Sequence, residues 1–413
     1  MHVVLLNQYY PPDLAPTGAM LKEVAERMVA DGHEVTVVCG RGGYSGKGQG
    51  EEGEEESSDV RVERVRSTRF GRGSHLARVA DYAGYYFGVM WKLFWMSPRP
   101  ERVVALTTPP FLSVLARVMS KLRGGDHAHW VMDLYPDVMV SHGMIGERGA
   151  ATGVLRGIAR WGFGGRRCVA VMSLGPDMSR RVGAYLGEGR ESPNVPLWAT
   201  AVEEVGEAAR KKWREGRGWG DEDLVVLYSG NMGLGHRFGE FLGAAARLGE
   251  EGGAAGKRVR FVFTGGGKRK GEIETFVGEH PEGLVEVGDY VAFEDLAVHL
   301  AAADLHMVSL EPVWDGVMVP SKLQGIFSMG GAVLFVGTGT CSIGQWVMES
   351  GGGWVVEPDD VDGVCAAIRE AGQAGECRRR GERAKQFAEA NFDRDKNTRE
   401  LSAIFGEEKT GRN

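Results

Sequence analysis

Short runs of β-branched and other apolar residues alternate along this chain with stretches that carry apolar positions at helical spacing. VVLLNQ (3–8) reads as a buried strand, and residues 19–31 place Leu21, Val24, Ala25 and Met28 on one helical face before a stop at Gly32. EVTVVCG (34–40) is the next strand, and strand, helix, strand with glycine stops marks a parallel sheet with crossover helices. The alternation continues with strands at 60–65, 102–108, 127–134 and 168–174 and helices at 76–96, 111–122 and 176–186. It breaks around 194–207, then restarts. Strands are predicted at 224–230, 259–265, 284–287, 305–310, 332–337 and 354–358, with helices at 236–249, 269–278, 294–302, 321–329, 341–349 and 360–372. The prediction is an α/β chain of two doubly wound, Rossmann-like domains, 1–200 and 201–385. Ligands of such sheets sit at the carboxyl ends of the strands, and the cleft between two domains is the default site.

Composition changes this picture little. With 413 residues, 43% hydrophobic and 25% charged, the chain is an ordinary globular protein rather than a disordered, collagen-like or coiled-coil one. Its 63 glycines are scattered through apolar segments, which implies many tight turns and close backbone approaches. Only 42–58, rich in Gly, Glu and Ser, reads as a loose loop. Charge adds more. The net charge is −7, which speaks against a nucleic-acid binder. Residues 1–200 nevertheless carry 24 Lys and Arg against 21 acids, and six of those acids lie in the single run Glu51 to Asp59. A basic N-terminal half suits an anionic substrate or membrane surface, with chance fluctuation as the plain alternative. The five cysteines are odd in number, widely spaced and free of C-x-x-C, which fits a reducing compartment and argues against a disulfide framework or a zinc site. No signal peptide and no transmembrane helix are expected; the nearest approach is the aromatic stretch 82–96 with Lys92.

Five places could carry chemistry. The turn after the first strand, NQYYPPDLAPTGAM, brings Gly18 to a helix start, where backbone N–H groups can meet a phosphate or a sugar hydroxyl. A plain helix start with Thr17 as N-cap is the alternative. YSGNMGLGHR (228–237) ends a strand in Gly230, Asn231 and Gly233, with His236 and Arg237 behind, and a diphosphate can approach such a turn closely. FTGGGKRKGE (263–272) offers a second glycine turn around Gly266. It is not a P-loop, because Arg269 stands where Ser or Thr is required, and a solvated basic turn explains its cations equally well. In VPSKL, Pro320 and Ser321 open a predicted helix with Lys322 in its first turn. A cation there opposes the helix dipole unless an anion also binds. Finally, Asp133 in WVMDLYPD ends a strand facing the predicted cleft; a turn-forming role is its alternative, and Asp137 reads as a loop acid.

Together these segments resemble the family 4 retaining glycosyltransferases of GT-B fold, in the branch of colanic-acid and O-antigen L-N-acetylfucosamine-type transferases. The resemblance rests on NQYYPPD with Thr17-Gly18, GHEVTVV (32–38), TTPP (107–110), DLYPD (133–137), LYSGNMG (227–233), FTGGG (263–267), VPSKL (319–323) and GGAVLFVG (330–337), and spans nearly the whole chain. It implies a nucleotide-sugar donor, UDP-linked, held mainly by the C-terminal domain. It implies a glycan or polyprenyl-diphosphate-linked acceptor on the N-terminal domain, and a last helix near 382–405, in the segment 386–413, that returns toward that domain. No metal and no cofactor are implied; the nucleotide-sugar is a substrate. Asp359, Asp360 and Asp362 read as helix capping rather than as a metal motif. Without a metal, Lys322, the Gly230–Asn231–Gly233 turn, His236 and Arg237 must stabilise the leaving diphosphate. Asp133 lies where the family places a polar residue near the reacting sugar, and Gly18 in the loop approaching donor phosphate and acceptor. One departure stands out: the family's Glu-x7-Glu positions are Val317 and Gly325 here, so the ribose-binding carboxylate is missing; Asp315 or Glu311 is a substitute for the first of the two positions. Its absence keeps open a non-catalytic nucleotide-sugar-binding protein; a UDP-sugar 2-epimerase-like isomerase would need more acid/base groups than Asp133. The expected location is cytoplasmic, with peripheral contact to the inner membrane face through the aromatic stretch 82–96 and Arg78, Lys92 and Arg99. A buried crossover helix is the competing reading of that stretch.

Overall fold

The computed structural model describes residues 1–13, 15–41, 59–65, 75–199, 205–280 and 285–407, with the side chains of 75–81 left aside. The loop predicted at 42–58 and the side chain of Arg78 therefore lie outside the described residues. The chain divides into two compact units. Unit 1 comprises Met1–Pro196, Gly316–Met318 and Arg394–Asn413; unit 2 comprises Leu197–Asp315 and Val319–Asp393.

Unit 1 holds strands β1 (His2–Leu6), β2 (Glu34–Gly40), β3 (Arg61–Val65), β4 (Arg102–Ala105), β5 (Asp126–Trp130) and β6 (Cys168–Met172). They form one parallel sheet in the order β3-β2-β1-β4-β5-β6. Val3 through Leu6 are wholly buried, as expected for a central strand covered by helices on both faces. Unit 2 holds β7 (Asp223–Ser229), β8 (Arg258–Thr264), β9 (Val285–Gly288), β10 (Leu305–Ser309), β11 (Ala332–Val336) and β12 (Gly353–Val356). Their order, β12-β11-β10-β7-β8-β9, is the same winding read from the other edge. In each unit the winding reverses at the first strand, between β1 and β4 and between β7 and β10. The carboxyl ends of those strands are where ligands of such sheets bind.

Several helix boundaries depart from the sequence pattern, and three of them bear on the candidate residues. The helix expected from 236 begins at Gly239, because the Arg237 N–H is taken by the Ser309 hydroxyl at 2.9 Å and the His236 ring by the Ser309 carbonyl at 2.8 Å. The helix expected to open on Pro320 and Ser321 runs Lys322–Ser328, with Ser321 at the N-cap and Pro320 outside it. In place of one helix over 382–405 there are two, Glu376–Asn391 and Arg394–Gly406. They part at Phe392, which is buried against Trp346, Phe387 and Phe327 in unit 2. The helix Arg394–Gly406 packs on the helix Pro16–Ala30 in unit 1. Buried Arg102 donates to its terminal carbonyls at Phe405 (2.7 Å) and Glu407 (2.6 Å), satisfying acceptors that the helix leaves open. Of the acidic run, Asp360 caps the helix Val361–Ala371 through the Gly363 N–H, whereas Asp359 pairs with Arg237 and Asp362 with Arg247.

Candidate active site

In unit 2 the chain leaves β7 and β8 through two glycine turns that lock into each other. The Gly230 N–H donates to the Thr264 carbonyl (2.8 Å), the Met232 N–H to Gly266 (2.7 Å) and the Arg269 N–H back to Met232 (3.0 Å). Gly265 and Gly267 sit at φ +140° and +142°, and a Cβ on either would strike the backbone of Gly230 or Met232. No residue with a side chain fits there. Gly233 is tight for another reason: its Cβ would lie 3.0 Å from the Asn231 amide nitrogen. Gly266 is covered by the exposed ring of Tyr290, whose hydroxyl donates to the Gly266 carbonyl at 3.3 Å.

Lys322 enters this place from its helix. Its ammonium donates to the Tyr228 hydroxyl and to the Asn231 carbonyl (3.3 Å), and lies 3.7 Å from the Tyr228 ring centroid. A Cβ on Gly230 would meet the Lys322 Cε at 2.9 Å, so glycine at 230 is what lets the lysine lie over the turn. Burial pushes the Lys322 ammonium down to about 7 and the Tyr228 phenol above its ordinary range. Among the described residues no carboxylate pairs with Lys322. A cation desolvated without a counter-ion is uncomfortable as it stands and well suited to receive an anion.

The neighbouring cations are balanced differently. The Arg237 guanidinium is held by Glu240 (2.7 Å), Glu311 (2.9 Å) and Asp359 (2.5 Å). Arg269 reaches Glu311 at 3.0 Å as well as Glu272 at 2.7 Å. Burial, and then the charge of Lys322, push the His236 imidazole down to about 3, so the ring is neutral; its Nδ1–H goes to Ser309. The structure thus gathers Gly230, Asn231, Gly233, Gly266 and Lys322 at one strand end. It sets His236 behind them as a neutral brace and gives Arg237 to three carboxylates. Pro320 is buried ahead of the helix, and the exposed Ser321 side chain makes no capping bond. Of the substitutes for the missing carboxylate, Glu311 is bound by two arginines and Asp315 accepts from Thr338 at 2.5 Å. Tyr228, Tyr290 and Ser309 were not found by sequence reasoning. Tyr228 sits two residues before the Gly230 turn, but nothing in the spacing says that its ring lies under a lysine 94 positions away.

In unit 1 the same strand ends are acidic and aromatic. Buried Asn7 donates to the Tyr9 carbonyl (2.7 Å) and reaches the Thr17 hydroxyl (3.4 Å), shaping the loop after β1. Gly18 is packed under that loop, where a Cβ would lie 3.1 Å from the Tyr9 oxygen. Thr17 is not an N-cap: the helix starts at Pro16, with Ala15 as the capping position. Asp133 stands three residues beyond β5. Its N–H donates to the Thr107 hydroxyl at 3.1 Å, and it bridges Met318 in the 316–318 segment of the same unit. Burial pushes its carboxyl up to about 6. Asp137 instead is saturated, taking bonds from Tyr185, Arg156 (3.4 Å) and Arg181 (3.3 Å), which makes it a structural acid.

Comparison with known proteins adds the class. Residues 17–196 match the family described as "Glycosyl transferase 4-like domain". A putative colanic acid biosynthesis glycosyl transferase, WcaI of Escherichia coli K12, is 24% identical over 388 residues, covering 90% of this chain and 92% of that protein. Among solved structures, WaaG, a glycosyltransferase involved in lipopolysaccharide biosynthesis, superposes with a TM-score of 0.64 at 16% identity, covering 98% of this chain and 99% of that one. Anabaena Alr3699/HepE, solved in complex with UDP, superposes at 0.72 and 13% identity, covering 98% and 100%. The fold and the comparisons define a glycosyltransferase of GT-B type. More narrowly, residues 17–196 match the glycosyl transferase 4-like family, and the chain is similar to the colanic-acid transferase.

Proposed function

We propose that the chain is a retaining, metal-independent transferase of cell-surface polysaccharide synthesis. It moves a sugar from a UDP-linked donor to a glycan or polyprenyl-diphosphate-linked acceptor. The observation that carries the reading is Lys322, a desolvated ammonium without a carboxylate partner among the described residues, laid over a backbone-lined glycine turn. The diphosphate of the donor fits there, meeting Lys322 and the turn of Gly230, Asn231 and Gly233. The bound diphosphate keeps Lys322 protonated, which sets positive charge where negative charge grows as the sugar–phosphate bond breaks. In a retaining transfer the leaving phosphate oxygen takes the proton of the attacking hydroxyl, so no protein base is needed. Asp133 holds a polar group of the reacting sugar or acceptor. The UDP reading is supported by the Anabaena complexes, which hold UDP or UDP-glucose, and the pathway reading by the name of the E. coli relative.

Calorimetric titration of the purified protein with UDP, GDP and ADP, without and then with magnesium, tests this. UDP binding that magnesium does not strengthen is expected. GDP binding alone would move the donor to GDP-sugars, and no nucleotide binding would overturn the reading.

The membrane part of the reading rests on one face of unit 1. The helix His75–Trp95 exposes Phe87, Met90, Trp91, Phe94 and Trp95. Arg123, on the next helix, lies 5.7 Å from the Phe94 ring. Lys92 is engaged by Glu63 at 2.7 Å, so its charge is spent within the unit. No described helix is long and apolar enough to cross a membrane. Exposed aromatics beside cations suit a headgroup layer with anionic lipid. Trp91→Ser with Trp95→Ser is expected to lower co-sedimentation with phosphatidylglycerol vesicles several-fold; unchanged sedimentation would remove this face.

A further inference from the structure

Strands β5 and β6 carry a side-chain cluster that the transfer reaction does not use. His127 and His129 alternate along β5 and so share a face, and Cys168 opens β6 directly opposite His127. All three are buried, and one donor atom of each lies within 4.8 Å of the other two. The Ser120 hydroxyl lies 3.0 Å from both the Arg117 carbonyl and the His127 Nδ1. The His127 Nε2 makes no hydrogen bond of normal geometry, although the Gly164 carbonyl lies by the ring. Neither ring nitrogen of His129 makes a hydrogen bond of normal geometry, although the Gly162 carbonyl lies by the ring. Two imidazoles and a thiol are a donor set without carboxylates. It is matched to a borderline-soft transition ion rather than to magnesium or calcium.

We propose that His127, His129 and Cys168 bind a zinc-class ion that ties β5 to β6 ahead of the loop carrying Asp133. Bond lengths of about 2.0–2.1 Å to nitrogen and about 2.3 Å to sulfur draw the donor atoms closer together than they stand, by side-chain rotation. The Cys168 thiol gives up its proton to solvent as the metal–sulfur bond forms. His129 also lines a small cavity with Thr107, Phe111, Tyr135 and Phe163. The proposal does not depend on the donor reading.

The test is titration of the chelator-treated full chain with cobalt(II), followed by zinc and, separately, magnesium. One equivalent of cobalt is expected to give a thiolate-to-metal absorption band that stoichiometric zinc abolishes and magnesium does not. Cys168→Ser is expected to lose that band, and His129→Gln to weaken zinc binding at least tenfold. No saturable binding at one equivalent, or a band unchanged in both variants, would overturn the proposal. If the variants do not fold, the wild-type chain still decides. Zinc is expected to protect Cys168 from alkylation in mild denaturant, read by peptide mass, and equal labelling with and without zinc overturns it.

Discussion

The two units wind their six strands in the same order, yet the ends of those strands carry opposite chemistry. In unit 2 the switch point is backbone and one cation: interlocked glycine turns, with Lys322 pushed by burial to about 7. In unit 1 it is one acid among hydroxyls and rings, with Asp133 pushed by burial to about 6. Desolvation acts on both in the same sense, against the charged form, and brings both near neutrality from opposite sides. The shared winding says only where a ligand goes; the residue placed there says which ligand. A cation over a glycine turn calls for an anion, and a carboxyl near neutral pH suits a sugar hydroxyl.

The largest expected effect is at Lys322. Lys322→Met keeps the length of the chain and removes the charge, and UDP affinity is expected to fall roughly 30-fold or more, about 2 kcal/mol, by calorimetry. The wild type carries a further signature. A bound diphosphate restores the ammonium, so binding takes up a proton above pH 7, and affinity declines by up to about tenfold per pH unit there. Stability runs the other way. The unfolded chain holds this proton up to its ordinary value of 10.5 while the folded one releases it near 7, so the Lys322 contribution grows more favourable as pH rises between them. Unchanged affinity in Lys322→Met would take the lysine out of the site and with it the contrast between the units.

Asp133 should give a smaller and differently shaped result. In Asp133→Asn, turnover is expected to fall roughly tenfold with UDP affinity unchanged, the mark of a group that does not hold the nucleotide. With the carboxylate as the working form, the wild-type rate rises through about pH 6, and the variant loses that limb. The folded chain keeps this proton between pH 4 and 6 while the unfolded one loses it. The acid therefore costs stability above pH 6, and the variant is expected to gain about 1–2 kcal/mol at pH 7 in denaturant melts. A loss of UDP affinity equal to the loss in rate would merge the two roles that the comparison separates.

The difference between the units also explains what could be read from the chain. Glycine spacing announces turns, so Gly230, Gly266 and the parallel winding were legible, and so was Lys322 as a cation in an odd place. The bonding of Arg237 was not. Its partners Glu240, Glu311 and Asp359 come from three segments as far as 122 positions away, and only the fold brings them together. The start of the helix at Gly239 turned on one hydroxyl, that of Ser309 on β10, which no local pattern contains. The same holds for Cys168. Its nearness to His127 and His129 comes from the register of two neighbouring strands, which a count of cysteines does not contain.

The smallest expected effect separates the fold from its chemistry most cleanly. Gly325 lies within the helix Lys322–Ser328, one turn beyond Lys322, and a Cβ there would meet nothing within 4 Å. A glycine inside a helix with open space around it costs about 0.5–1 kcal/mol relative to alanine. Gly325→Ala should therefore raise the melting temperature by a few degrees and leave UDP affinity unchanged. Gly325→Glu makes the same backbone correction and adds a carboxylate at the position where the resemblance to family 4 places a ribose contact. If UDP affinity rises in the glutamate variant and not in the alanine one, the nucleoside lies against this helix, and the wild type works without a contact that the geometry still accommodates. If both variants bind UDP alike, the ribose is held elsewhere, and the lysine and the glycine turn alone define what unit 2 offers the donor.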